Sequence, residues 1–445
     1  MILSLVSLLI LTSCEPPTKV IEDDIVYTLD KTGNYYEVNG VNDYTIKSAK
    51  IKDNIHGINV NTIIKFAFQG CSNLESVDIP HTINKISNYA FYNCLKLKDI
   101  NVDPNNLNYK SIDGNLYNKN ADKFIKYAPG KKDECFAIPS TVITVENMAF
   151  SGVLSLKSIT IPSGVSKLGE EAFSHVKNLH SIEIPASVTE VGMFAFYGCD
   201  NLTNVTINNN LKIISQCMFS YCKNLKEIKL PDSVLSLENG AFLGCSNLEK
   251  VELGSNIKYI AGSVFSECEK IKYNSYDNGL YLGNLDNPYL ALVKCNSLEI
   301  NNLVINENTK VIAGDALSDA KNLTNVTLVN GLISIGPCAF YECNNLLNVT
   351  IPDTVEIIGE FAFAYSGLEY AVLPNSLKEI GSDAFGACDN LTKVYYRGNE
   401  AEWNAIVIST NPSLEASTKY YYSETQPSTK GNYWYYDNDN NIVIW

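Results

Sequence analysis

The chain has 445 residues, 45% of them hydrophobic, and carries 34 Lys plus Arg against 49 Asp plus Glu. That is enough apolar material for a large core, and it argues against wholesale disorder. A formal charge of −15 argues against a nucleic-acid partner, whose phosphates need a basic face, and it disfavours electrostatic docking on anionic lipid.

Met1 to Ser13 reads as one apolar run. Thirteen helical residues rise about 20 Å, short of a hydrocarbon core of about 30 Å, so the run fits the apolar stretch of an export signal. It leads into Leu11-Thr12-Ser13-Cys14, which resembles the bacterial lipobox; that resemblance implies acylation of Cys14 and anchoring of the exported protein in a membrane. The departure is that no Lys or Arg precedes the run. Residues 1–14 are thus expected to be signal and lipobox. Residues 15–57 then form a Pro-containing linker and a β-rich cap.

From Ala67-Phe68 onward the chain repeats. Phe68, Phe91, Phe150, Phe173, Phe196, Phe219, Phe242, Phe265, Leu317, Phe340, Phe363 and Phe385 head twelve copies, most of them 23 residues apart. The shared phrase is Ala-Phe-x-x-Cys-x-x-Leu-x-x-Ile-x-Ile-Pro, as in Leu225-Lys226-Glu227-Ile228-Lys229-Leu230-Pro231. A unit this small cannot bury its own apolar face, so successive units must stack. The β-rich segment ends at Pro, which has no N–H for a ladder, giving one short strand per coil. Gly169, Gly192, Gly336, Gly359 and Gly381 mark the return path. Twelve strands about 4.8 Å apart predict a rod or arc about 60 Å long.

This pattern resembles the BspA-type branch of the leucine-rich-repeat family and covers residues 58–396. The resemblance implies a right-handed solenoid with one parallel strand per coil. It also implies an exported, surface-displayed bacterial protein that serves adhesion or binding rather than catalysis.

Two intervals break the period. Phe91 to Phe150 is 36 residues longer than one unit, and Phe265 to Leu317 is 29 longer. The inserts, about 103–132 and 273–299, each hold two β runs around an Asn/Asp/Gly turn, as hairpins do. They are expected to project from one edge, where they would reach a ligand; the alternative is that they set register inside the stack. Residues 397–445 end the chain. Trp403 is expected to cover the last coil, and Tyr420 to Trp445 to form an aromatic hairpin turning at Asp437 to Asn441. That tail is also faintly similar to choline-type wall-binding repeats, which gives the alternative reading of a glycan- or cell-wall-binding protein acting through its C terminus.

Chemistry-bearing residues are sparse. Eight cysteines (Cys71, Cys94, Cys199, Cys222, Cys245, Cys268, Cys343 and Cys388) stand three places after the repeat Phe or Leu, where sister coils carry Val153, Val176, Ala320 and Ser366. A site that accepts Cys, Val and Ala is small and buried, so these are expected to be reduced, packed thiols rather than disulfides or zinc ligands. Asp437 to Asn441 lacks the Gly and the Glu of a calcium loop. His175 and His180 fall on different parts of one coil. No nucleophile elbow, phosphate loop or zinc-protease motif is present, so no enzyme and no cofactor are nominated.

What remains is a surface. In each strand the residue between the last two apolar positions points to solvent on the concave side. These are Asp78, Asn101, Thr160, Glu183, Thr206, Lys229, Glu252, Thr327, Thr350, Val372 and Tyr395. They are the candidate ligand-binding residues, for a protein or glycan partner. A polar row of this kind is also what solubility alone demands of an exposed strand.

Overall fold

Each 23-residue coil is held to its neighbours by three hydrogen-bonded edges. In the computed structural model the strand Ser181–Ile184 pairs in parallel with Asn204–Ile207, and every partner (Ser181 with Asn204 through Ile184 with Ile207) is 23 residues away. The alternation inward and outward is strict: Ile182 and Ile184 are buried while Ser181 and Glu183 face solvent. Pro185 then closes the strand. The same coil makes a second, two-residue strand, Glu190–Val191, parallel to Lys167–Leu168. The sequence shows the first ladder only, because two residues are too few to display a period.

The third edge is the turn around the repeat Phe. The N–H groups of Glu171, Phe173 and His175 donate to the carbonyls of Met193, Ala195 and Tyr197 in the next coil, at 2.9, 2.8 and 2.7 Å. The intervening N–H groups of Ala172, Ser174 and Val176 bond back within their own coil. Positive φ angles at Glu171 (52°) and His175 (57°) produce this alternation. A left-handed residue two places before and two places after the repeat position recurs from coil to coil, including bulky Phe194, Tyr221 and Tyr365. For a residue with a Cβ that conformation costs about 1–2 kcal/mol, which the inter-coil bonds must offset. Gly192 follows the second strand where coils nearly touch: a Cβ there would lie 2.4 Å from the Glu170 backbone nitrogen.

The structure describes residues 16–428 and 431–445; the export signal and Cys14 lie outside them. The described chain divides into two compact units, one running to Lys132 and including Met148–Ser155, the other comprising Asp133–Asn147 and Leu156–Trp445.

In the first unit, strands Lys19–Glu22, Ile25–Leu29 and Tyr36–Val41 form an antiparallel meander whose last member pairs in parallel with Ile58–Ile63. Tyr27 and Tyr36 are fully buried beneath it, so the end of the stack is covered by aromatic rings. Ser48–Lys50, Ser76–Ile79 and Asp99–Val102 make the outward parallel ladder. The first insertion forms strands Tyr109–Ile112, Asn115–Asn118 and Lys123–Lys126. It does not project as expected. Leu116, Tyr117, Phe124 and Tyr127 are buried, and the Phe124 ring stacks on Phe150 at 4.8 Å and 4°. The hairpin supplies an aromatic rung that the repeat pattern lacks there.

In the second unit the repeat Phe rings stack in files: Phe173, Phe196, Phe219, Phe242 and Phe265 follow one another at 5.0–5.8 Å and within 10° of parallel. The insertion forms Asn274–Tyr276, Gly279–Leu282 and Ala291–Cys295, and the last of these joins the second ladder beside Val311–Ile312. It too is packed inward, through Tyr281 and Leu292. Gly314 N–H still donates to Ile260 O at 2.9 Å, so the coils before and after the insertion touch on the turn edge. At the C-terminal end a short helix, Glu400–Trp403, is held by an Asn399 capping box. It seats Trp403 against Tyr396 at 5.3 Å. Thr418–Tyr422 extends the outward ladder, followed by Tyr433–Tyr436 in parallel and Ile442–Ile444 antiparallel. The tail is therefore a hairpin, turning at Asp437 to Asn441.

Candidate binding face

The outward strand face carries the residues singled out above, because period-2 alternation places them opposite the buried Ile and Val. In the first unit Asp78 and Asn101 are exposed, joined by Asn101 Nδ2 donating to Asp78 Oδ1 at 2.9 Å, and line a shallow groove with His81 and Lys50. In the second unit Thr160, Glu183, Thr206, Lys229, Thr327 and Thr350 are exposed and Glu252 is half-buried. Glu183 and Thr206 are register partners. Glu183 also accepts from Asn208 Nδ2 at 2.9 Å, and Lys229 is ion-paired to Glu252 on the next coil. Hydrogen bonding to and the charge of Glu252 hold the Lys229 ammonium pKa above its ordinary value.

Two of the predicted positions are not open. Val372 is fully buried and Tyr395 is 5% exposed, both beneath Trp434. The tail folds back over the outward face there, and Trp434 Nε1–H donates to Tyr396 O at 3.0 Å. A position's exposure in a repeat depends on what else the chain lays over it, which the period does not encode.

Charges beside the face are matched coil to coil. Lys157 meets Glu134 at 2.7 Å and Lys272 meets Glu249 at 2.8 Å, all four side chains well solvated. Such pairs contribute at most about 1 kcal/mol each; their effect here is to leave the face without a strong patch of one sign.

Two large grooves, and a smaller one beside Thr327 and Thr350, interrupt this face in the second unit. One, of about 920 Å³, runs past Lys226, Glu249 and Glu252 to the second insertion, whose Leu285 is 92% exposed at the rim. The other, of about 790 Å³, lies between the last coils and the tail and is lined by Tyr370, Tyr395, Arg397 and Tyr436. Neither was found from the sequence; the density of tyrosine after residue 365 was the available signal.

The repeat cysteines are all buried. They also do something that a small hydrophobe would not. From the second coil on, the thiol donates to the carbonyl of the repeat residue one coil earlier: Cys94 to Phe68 at 3.0 Å, Cys245 to Phe219 at 3.1 Å, Cys388 to Phe363 at 3.1 Å. Burial pushes the Cys94 and Cys199 thiols up to about 12. Cys135, outside the slot, is exposed. Among the described residues, no three His, Cys, Asp or Glu converge as a metal site.

Comparison with known proteins places this architecture. A family model described as the BspA type leucine rich repeat region, in six copies, matches residues 38–125, 131–228, 166–282 and 294–415. The chain belongs to the BspA-type leucine-rich repeat family. No curated protein matches it. Among solved structures, this BspA-type chain is similar to a leucine-rich repeat protein from Bacteroides ovatus, at 24% identity over 90% of this chain and 99% of that one, TM-score 0.40. It is also similar to a leucine rich cell surface protein from Faecalibacterium prausnitzii, at 22% identity over 89% and 99%, TM-score 0.32. The pneumococcal vaccine antigen PcpA matches at 18% identity over 91% and 94%, TM-score 0.29.

Proposed function

We propose that this BspA-type repeat protein is a non-catalytic binding protein, exported and held at the bacterial surface through an acylated Cys14. It engages a protein or glycan partner with the outward strand face. The observation that carries this reading is the row Thr160, Glu183, Thr206, Lys229, Glu252, polar and set on strands fixed at 23-residue intervals. A rigid, evenly spaced polar surface suits recognition by shape and hydrogen bonding, with little ordering cost on binding. The family and the cell-surface relative from Faecalibacterium prausnitzii support display outside the cell.

The test uses the soluble chain from Glu15 onward on an array of extracellular matrix proteins and glycans. Binding should be lost in the combined variant Glu183→Ala, Lys229→Ala and Glu252→Ala, with the thermal midpoint nearly unchanged. Unaltered binding by that variant would remove the face from consideration. For anchoring, a labelled fatty acid should be incorporated by cells expressing the full chain and not by the Cys14→Ala variant.

A further inference from the structure

The outward face changes character at its C-terminal end. Over the earlier coils it is polar. On the last strands, Tyr370, Tyr420, Tyr422 and Tyr436 gather around buried Val372, Tyr395 and Trp434. These rings are on the solvent side of the sheet, so they are not needed to fill the stack beneath. They border the groove of about 790 Å³, a volume within the usual range for small-ligand sites.

The walls of that groove are fixed before any ligand arrives. Trp434 is pinned through its indole N–H to Tyr396 O. The Tyr436 ring packs edge-on against Trp434 at 4.9 Å and 78°. Its hydroxyl accepts from Arg397 Nη2 at 3.1 Å. The turn bearing Asn440 and Asn441 is tied down by Asp437, whose carboxylate accepts the N–H groups of Asp439 and Asn441 at 2.9 and 2.8 Å. Rigid rings lose little freedom on binding.

The lining also narrows the ligand. The Arg397 guanidinium is ion-paired to Asp353 at 2.7 Å, and the lining holds Glu369 as well as Lys393. Two basic groups set against two carboxylates give an anion no net positive charge to bind. A wholly apolar ligand would cover the Glu369 carboxylate and the Asn440 amide while offering neither a partner, at about 1–3 kcal/mol or more per group. A saccharide meets both demands: its C–H faces lie against aromatic rings, and its hydroxyls both donate and accept.

We infer that this groove is a subsite for a neutral oligosaccharide, with Tyr370 and Tyr436 against the sugar C–H faces and Glu369, Asn440 and Asn441 bonded to its hydroxyls. The inference rests on the reading that the outward face is the docking face; Thr350, from the exposed row, also lines the groove.

The experiment is saturation-transfer NMR and calorimetry on the chain from Glu15 onward, with cello-, chito-, malto- and xylo-oligosaccharides, and uronate and sialylated oligosaccharides alongside. At least one neutral series should bind at or below about 5 mM. Glu369→Ala and Tyr370→Ala should each weaken that binding by about fivefold or more while near-ultraviolet circular dichroism stays unchanged. The combined change at Glu183, Lys229 and Glu252 should leave it intact, which separates this subsite from the rest of the face. No neutral binder in the panel, tighter binding of the charged sugars, or undiminished binding by Glu369→Ala with fold retained would each overturn the assignment.

Discussion

The thiol of Cys222 donates to the carbonyl oxygen of Phe196, 3.3 Å away and twenty-six residues earlier in the chain. The bond crosses from one coil to the one before it and gives a buried carbonyl, which already accepts the Cys199 N–H, a second donor. A net hydrogen bond contributes about 0.5–1.5 kcal/mol. Cys222→Ala should therefore lower unfolding free energy by about 1–2 kcal/mol, combining the lost bond with a small void. Chemical denaturation of the two proteins measures it.

The same thiols set an alkaline limit. Burial raises the Cys199 and Cys94 pKa to about 12, whereas an unfolded thiol ionises near 8.5. The folded state thus holds protons that the unfolded state releases, and this contribution is complete below about pH 8.5 and lost between there and about pH 12. Denaturation midpoints should fall progressively over that window. In native protein at pH 8 a thiol reagent should modify exposed Cys135 well before Cys199 or Cys94.

Close approach of coils gives a third expectation. A Cβ at position 192 would meet the backbone of Glu170 at 2.4–2.6 Å, and backbone cannot rotate aside. Gly192→Ala should destabilise by about 2 kcal/mol or more. Ala387 offers the opposite case. It is exposed and held at φ 49°, so Ala387→Gly should be neutral or stabilise by up to about 1 kcal/mol, the relieved strain being partly offset by a more flexible unfolded chain. Thermal melts of both variants check the pair of signs.

Phe219 stacks between Phe196 at 5.4 Å and Phe242 at 5.6 Å. Phe219→Ala should cost about 3–5 kcal/mol. In a stack whose members depend on their neighbours, the loss should spread, so hydrogen exchange ought to accelerate in the coils on either side.

Trp434 is the peg of the tail. It is fully buried, and its indole bond to Tyr396 ties the last hairpin down. Trp434→Ala should free that hairpin, exposing Tyr395 and Val372 and opening the chain after Ser423 to limited proteolysis. The digestion pattern of the coils before Leu373 should stay as it was.

The period, the inward Phe, Leu and Ile, and the buried Cys slot were readable in the sequence because each coil repeats one environment, and a repeated environment selects a repeated residue. What escaped is what one coil does to another. The Cys222 bond to Phe196 runs between coils, and a slot that sister coils fill with Val and Ala gives no sign of it. The Glu190–Val191 strand is too short for a pattern. Phe124 fills a rung from a hairpin whose sequence looks like an excursion. Tyr395 holds an outward register position, and only the returning tail decides that it is covered.

The alternating hand of the turn has a consequence for how such a molecule changes its length. Because Glu171, Phe173 and His175 all send their N–H groups the same way, adding or deleting a whole circuit leaves the donors of one circuit facing the acceptors of the next. A change of one residue inside the turn would reverse that polarity and strand the bonds. The single shortened interval, Phe363 to Phe385, obeys this constraint. Its missing residue falls at Ser366-Gly367-Leu368, in the joint between turn and strand, where a Cβ on Gly367 would collide with the Asn344 carbonyl oxygen at 2.1 Å. Single-residue gains and losses should therefore be tolerated at that joint and not inside the turn.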